Sequence, residues 1–297
     1  MSYLSLSNTS FAAIAISFIV ICITIISLRL YSEYRAKKAL KDELAQRDNF
    51  AMGISFASEI IVVIATMAFL FDEISLNTAQ SHPVKVIILI VLLFSFIKIG
   101  HLIHRKWILS RFNEEAAILK QNVCAAMVDS GMLIANCIIT LGLYTWTHIQ
   151  GYSNLLIAIV SFFVLQGIFS IDSKIRERKF ASANQGASLQ SNFNHENTSI
   201  GIRYAGKSIG LSLALYAGLS SAVFQNGKMV ENLFTLVMHC GVMWLLLYCL
   251  AFIIKMVSLP KINTALEVDH QDNIGIACIE FAVFCAVGYL LISMFSI

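Results

Sequence analysis

Charge is scarce in this chain. Only 13% of its 297 residues are Asp, Glu, Lys or Arg, about half the share usual in soluble domains, while 58% are hydrophobic. A soluble core cannot hide that much apolar surface, so a bilayer is the natural solvent. Prolines number two, and both, Pro83 and Pro260, stand at the borders of apolar runs, where they read as helix punctuation. No HExxH, GxSxG or P-loop motif occurs, and no protease-like pair of aspartates lies within an apolar run. Catalysis is therefore not expected, and neither is a catalytic residue or a cofactor. The seven cysteines all lie inside apolar runs without a CxxC pair, which excludes a disulfide framework and a zinc ribbon and leaves packing as their role. A formal net charge of +3 is too weak to imply a nucleic-acid partner. No metal site is expected: His101 and His104, three apart, read as interface histidines beside a basic loop, and His239 as a hydrogen-bonded core residue.

What the chain does contain is eight apolar runs of about 20 residues, the length that crosses a hydrocarbon core. They cover 11 to 31, 50 to 71, 84 to 103, 122 to 146, 152 to 171, 197 to 224, 231 to 258 and 273 to 297. The expected fold is an all-α polytopic membrane bundle of about eight transmembrane helices. Of the 21 Lys and Arg, 16 lie in the loops after runs 1, 3, 5 and 7, and the other face carries only Lys85 and Lys228. The positive-inside rule then puts both termini outside, on the periplasmic face of a bacterial inner membrane. Loops 72 to 83, 147 to 151 and 225 to 230 are expected outside, and 32 to 47 and 172 to 196 in the cytoplasm. The first run has no basic residue before Arg29, so it reads as a span and not as a cleaved leader.

Self-similarity organises the runs. RDNFAMGISFASE, KQNVCAAMVDSGM, HENTSIGIRYAGK and QDNIGIACIEFAV share one junction: an acid or amide, then Asn, then an apolar stretch seeded with small residues. Its asparagines, Asn49, Asn122, Asn197 and Asn273, are 73, 75 and 76 residues apart. Each unit of two spans enters the membrane in the same direction, as parallel repeats do, and a ring or a pair of bundles about a central axis is the expected geometry. Units 2 and 4 place an acid seven residues after the asparagine (Asp129, Glu280), and units 1 and 3 a charge ten residues after it (Glu59, Lys207). That alternation predicts a duplicated four-span module, 1–150 and 151–297. In its junctions and in this pairing the chain resembles the small bacterial inner-membrane proteins grouped as domain of unknown function 350. The resemblance implies two four-span modules in an inner membrane and brings no reaction or ligand to transfer.

The four asparagines read as N-caps for the even helices. Four such helix N-termini converging on the cytoplasmic side are the alternative, able to attract an anion or head group. Glu59, Asp129, Lys207 and Glu280 lie about 10 to 15 Å beyond the junctions at 1.5 Å per residue, where a charge costs at least about 2.5 to 3.5 kcal/mol. They should face the bundle interior, with Asn136 extending the polar stripe along the fourth span. Arg203 and Lys98 can snorkel to the interface, and Lys207 reads either as half of a buried ion pair or as a charge in a conduction path. Small pairs four apart (Gly53 with Ala57, Gly131 with Ala135, Gly201 with Ala205, Gly206 with Gly210) predict even helices inside and odd helices outside. Two functional readings remain open: a proton or small-cation channel or coupled transporter using the carboxylates, and a structural or envelope-stress protein whose buried charges specify assembly. The expected partners are the bilayer, anionic lipid head groups and further copies of the chain.

Overall fold

The computed structural model describes residues 8–36, 38–73, 83–149 and 152–295, with the side chains of 18–34, 38–71, 84–149 and 152–295. The loop between the second and third spans and residues 1–7 fall outside the described residues. Eight long helices carry the eight expected spans: α1 Asn8–Ala36, α2 Phe50–Glu73, α3 Pro83–Ile103, α4 Val123–Thr147, α5 Tyr152–Ala183, α6 Thr198–Ser221, α7 Met229–Ser258 and α8 Ile274–Phe295. No strand occurs among the described residues. Six helices (α2, α3, α4, α5, α7 and α8) are long and apolar enough to cross a membrane. Helix α6 matches them in length at 24 residues but carries Arg203 and Lys207; it packs against α4, α7 and α8 and so keeps these charges from lipid.

The repeat is visible as a structural cassette at one end of the bundle, here called the basic end. Each even helix is preceded by a short helical segment: Asp42–Gln46, Glu114–Ile118, Leu189–Asn192 extended by Phe193–His195, and Thr264–Asp269. A left-handed residue then reverses the chain, namely Asp48 (φ 50°), Gln121 (φ 68°), Glu196 (φ 59°) and Asp272 (φ 48°). The asparagine follows and caps the new helix, its Oδ1 accepting the amide of Met52, Ala125, Ile200 or Ile276 at 2.9 to 3.2 Å.

The same asparagines join the units. Asn49 donates through Nδ2 to the Ile118 carbonyl (3.1 Å), Asn122 to that of Phe193 (2.8 Å), and Asn197 to those of Val268 (3.1 Å) and Asp269 (3.3 Å). Each of these three caps therefore ties its unit to the short segment of the next. Where the spacing predicts a ring or paired bundles, the even helices instead form an open row, α2–α4–α6–α8, in which α2 and α8 share no packed interface. Close approach sets the row: a Cβ on Gly131 would lie 2.5 Å from the Ala205 Cα, one on Gly206 2.4 Å from the Phe281 Cα, and one on Gly210 2.6 Å from the Phe284 carbonyl oxygen. Odd helices lie outside, α1 on α2, α3 and α5 on α4, and α7 on α6. The inner layer is limited to α4 and α6, because at the ends of a row α2 and α8 have only one even neighbour. Gly53 and Ala57, expected to pack tightly, meet no other long helix: the nearest atom to a Cβ on Gly53 is Leu44 Cδ2 at 3.7 Å, and Ala57 is exposed.

Candidate anion-binding cavity

Every intramembrane acid expected from the sequence has a cation beside it. Asp129, 1% exposed, receives Arg105 Nε and Nη2 at 2.8 Å each, with His101 Nε2 2.7 Å away and the Ser55 hydroxyl at 3.4 Å. A bidentate guanidinium is the geometry that best offsets the cost of burying a carboxylate. Glu59 pairs with Lys98 at 3.3 Å. Glu280, 1% exposed, is paired with Lys255, and Arg203 Nε stands 3.8 Å from its other oxygen while also binding Asp269. None of the three acids therefore depends on Lys207 for a contacting counter-charge. Arg105 and Lys255, apparent loop cations, turn inward from the ends of α3 and α7.

Lys207 is the exception. It has no ion pair among the described residues, and its Nζ lies 5.6 Å from the centre of the Phe284 ring. The direct-pair reading of this lysine is thus corrected: Lys255 and Arg203 make the contacts to Glu280, and Lys207 acts on that carboxylate only through space. His101 and His104 are buried, not interfacial. His101 serves Asp129, and His104 Nε2 lies 3.0 Å from the Tyr204 hydroxyl. Asn136, fully buried, accepts from Gln166 Nε2 at 2.7 Å and ties α4 to α5. A Cβ on Gly100 would sit 2.0 Å from its Oδ1, so α3 requires glycine there. Snorkelling does describe Arg203, which leans back toward Asp269 in the basic-end segment. His239 accepts or donates at 2.9 Å with the Ser221 hydroxyl, as expected of a core histidine.

A cavity of about 300 Å³ opens at the basic end of the second module. Its floor is α6 and α8, with Arg203, Lys207, Glu280 and Phe284; its flanks are α5, with Arg176 and Lys179, and α7, with Tyr248, Phe252 and Lys255. Five cationic and two acidic side chains line it. Arg176 is held by Asp172 at 2.5 Å and by Ser208 at 3.0 Å, and Asp172 also accepts from Tyr248 (2.7 Å) and Trp244 (3.1 Å). After these pairings Lys179 and Lys207 remain without a described carboxylate. Phe252, 62% exposed, stands at the rim between the two outer helices.

The first module has the same cavity in another form. Met52, Ser55, Phe56 and Glu59 occupy the places of Ile200, Arg203, Tyr204 and Lys207, each 148 positions later, and Arg105 and Glu115 the places of Lys255 and Ala265, 150 later. There the space shrinks to about 30 Å³, room for a water and little more. Duplication has thus produced one small, acidic copy and one large, cationic copy. Beside the small copy, burial pushes the Glu114 carboxyl up to about 8, with the nearby Asp129 charge adding to the rise. In the first unit burial also works against the charge of Glu43, but Asn49, Arg47 and Lys38 outweigh it and hold the carboxyl down at about 2.

Sequence reasoning missed Asp172, Arg176 and Tyr248. Asp172 stands one residue past the fifth apolar run, and α5 continues 11 residues beyond it as far as Ala183. The i, i+4 spacing of Asp172 and Arg176 was the available signal.

An all-helical chain of two modules, with six helices fit to cross a membrane, is a multi-pass membrane protein. It belongs to the family described as Domain of Unknown Function (DUF350), which matches residues 4–144 and again 147–295, as two tandem copies. No curated protein and no solved structure matches it.

Proposed function

We propose that this protein binds an anionic amphiphile of the membrane in the cavity of its second module, acting by binding and not by catalysis. The observation that carries the reading is the cationic excess at Lys179 and Lys207, left after Arg176, Arg203 and Lys255 meet Asp172, Asp269 and Glu280. A phosphate or carboxylate head between these two lysines gains about 4 kcal/mol per close charge pair at an effective dielectric near 20. The apolar tail lies along Phe252 and Ile175, between α5 and α7. The N-termini of α6 and α8, both at the basic end, add partial positive charge. The first module, its acids paired and its cavity small, acts as scaffold. Positive-inside bias supports placing the basic end in the cytoplasm of an inner membrane with both termini on the far side. A passage for protons or small cations draws less support, because Glu59, Asp129 and Glu280 are each engaged by a cation.

Native mass spectrometry of the purified chain, offered phosphatidylglycerol, phosphatidylcholine and soluble glycerol phosphate, tests the reading. Phosphatidylglycerol is expected to be retained at least tenfold better than phosphatidylcholine, and Lys179→Met with Lys207→Met to abolish the difference. Glycerol phosphate competing as well as the lipid would identify a soluble anion as the ligand. Equal retention of both lipids, or an unchanged preference in the double variant, would overturn the proposal.

A further inference from the structure

The row of even helices is built by a rule that its two ends leave unfinished. Counted from the capping asparagine, each even helix seats its successor on a forward face: Cys124 at position 2 and Gly131 at position 9 on α4, and Gly206 and Gly210 at positions 9 and 13 on α6. The successor presents a backward face, Gly201 and Ala205 at positions 4 and 8 on α6, and Phe281 and Phe284 at positions 8 and 11 on α8. Position 9 of one helix therefore meets position 8 of the next at the α4–α6 and α6–α8 junctions.

On α8 the forward positions 2, 9 and 13 are Gly275, Ala282 and Ala286, and all three are exposed. Gly131, Gly206 and Gly210 have a neighbouring helix against them, whereas a Cβ on Gly275 would meet only the side chain of Asn273 at 3.4 Å. On α2 the backward position 8 is Ala57, exposed, while positions 4 and 11 are Gly53 and Ile60, both half-buried. The asparagine rule breaks at the same two ends. Asn49, Asn122 and Asn197 reach a carbonyl four or five residues before the next capping asparagine, on a residue that is buried (Ile118, Phe193, Val268). Among the described residues no further segment meets Asn273, which keeps only the bond to Glu267 of its own segment at 2.9 Å, a bond that Asn49 also makes, to Glu43 at 3.0 Å, beside its bond to the next unit. The corresponding carbonyl at the start of the row belongs to Ala45, an exposed residue that no described asparagine reaches.

From this continuity we infer that a second copy of the chain completes the row head to tail, the α8 of one copy seating the α2 of the next, with Asn273 turning to the Ala45 carbonyl of that copy. Such an interface is heterologous, so successive copies close into a ring or extend as a chain. The match is of small residue on small residue, Ala282 on Ala57, the close-packing chemistry that drives helix association in lipid.

Disulfide trapping in native membranes tests it. Two differently tagged chains are co-expressed, one Ala57→Cys and the other Ala282→Cys, with exposed Cys249 and Cys278 replaced by serine in both. Copper phenanthroline is expected to link the two tags at least fivefold above either single variant paired with itself. Self-linking of either variant as strong as the mixed product would contradict a head-to-tail contact, as would no linking at all. As a second readout, wild-type chain in lipid nanodiscs should contain more than one copy, and Ala282→Leu should reduce it to single copies without changing its thermal unfolding. A wild-type chain that is single throughout would overturn the inference.

Discussion

Adding one methyl group should have opposite effects at different glycines of this chain. At Gly206 a Cβ would stand 2.4 Å from the Phe281 Cα and 2.8 Å from its Cβ, both fixed by the α8 backbone. Favourable carbon contacts lie near 3.5 to 4 Å, so α8 would have to withdraw by about 1 Å along much of its interface with α6. Overpacking of this kind costs about 1 to 3 kcal/mol, which outweighs the gain of up to about 1 kcal/mol that alanine brings to a helix interior. Gly131→Ala meets the Ala205 Cα at 2.5 Å and should behave alike. At Gly167 and Gly241 nothing lies within 4 Å of the added atom, so only the helix preference remains and Gly→Ala should leave stability unchanged or raise it. Reversible unfolding in bicelles, followed by circular dichroism, measures the four variants against wild type. Losses of the same sign and size at all four glycines would refute the row.

Arg105→Met should destabilise the bundle by about 3 to 5 kcal/mol, because it strands the buried Asp129 carboxylate; Asp129→Asn in the same chain should recover most of the loss, and Lys207→Met, which breaks no direct ion pair and leaves Glu280 with Lys255, should cost less than Arg105→Met, all read by the same unfolding assay. With its carboxyl held near 8, Glu114 stays protonated in the folded chain while the unfolded chain ionises near 4.5. The folded state then binds the extra proton, so stability falls as pH rises from about 4.5 to about 8. Glu114→Gln should flatten that decline, and a thermal melting series from pH 5 to pH 8.5 checks it.

Legibility tracked the range over which each feature is encoded. The Asn49, Asn122, Asn197 and Asn273 junctions could be read because an N-cap depends on one side chain and the next three amides. The close-packing glycines could be read as far as Gly131 and Gly206, since small residues four apart imply a nearby helix. Which helix could not be read, and the same pattern at Gly53 and Ala57 marks the open end of the row. Burial of the acids followed from their depth, but their partners Arg105 and Lys255 lie 24 and 25 residues upstream and looked like loop charges. The cavity was invisible because residues from four helices make it, and because Lys207 is defined by the absence of a partner that only the packing of Glu280 against Lys255 reveals.

The most direct test of the central claim is where an anionic head group sits. A cryo-electron map of the protein in nanodiscs containing brominated-tail phosphatidylglycerol would locate both ends of the lipid. The account predicts phosphate density within hydrogen-bond distance of Lys207 or Lys179, with bromine density between α5 and α7 beside Phe252. A second-module cavity empty of phosphate, with anionic lipid found only as an annulus around the odd helices, would contradict it.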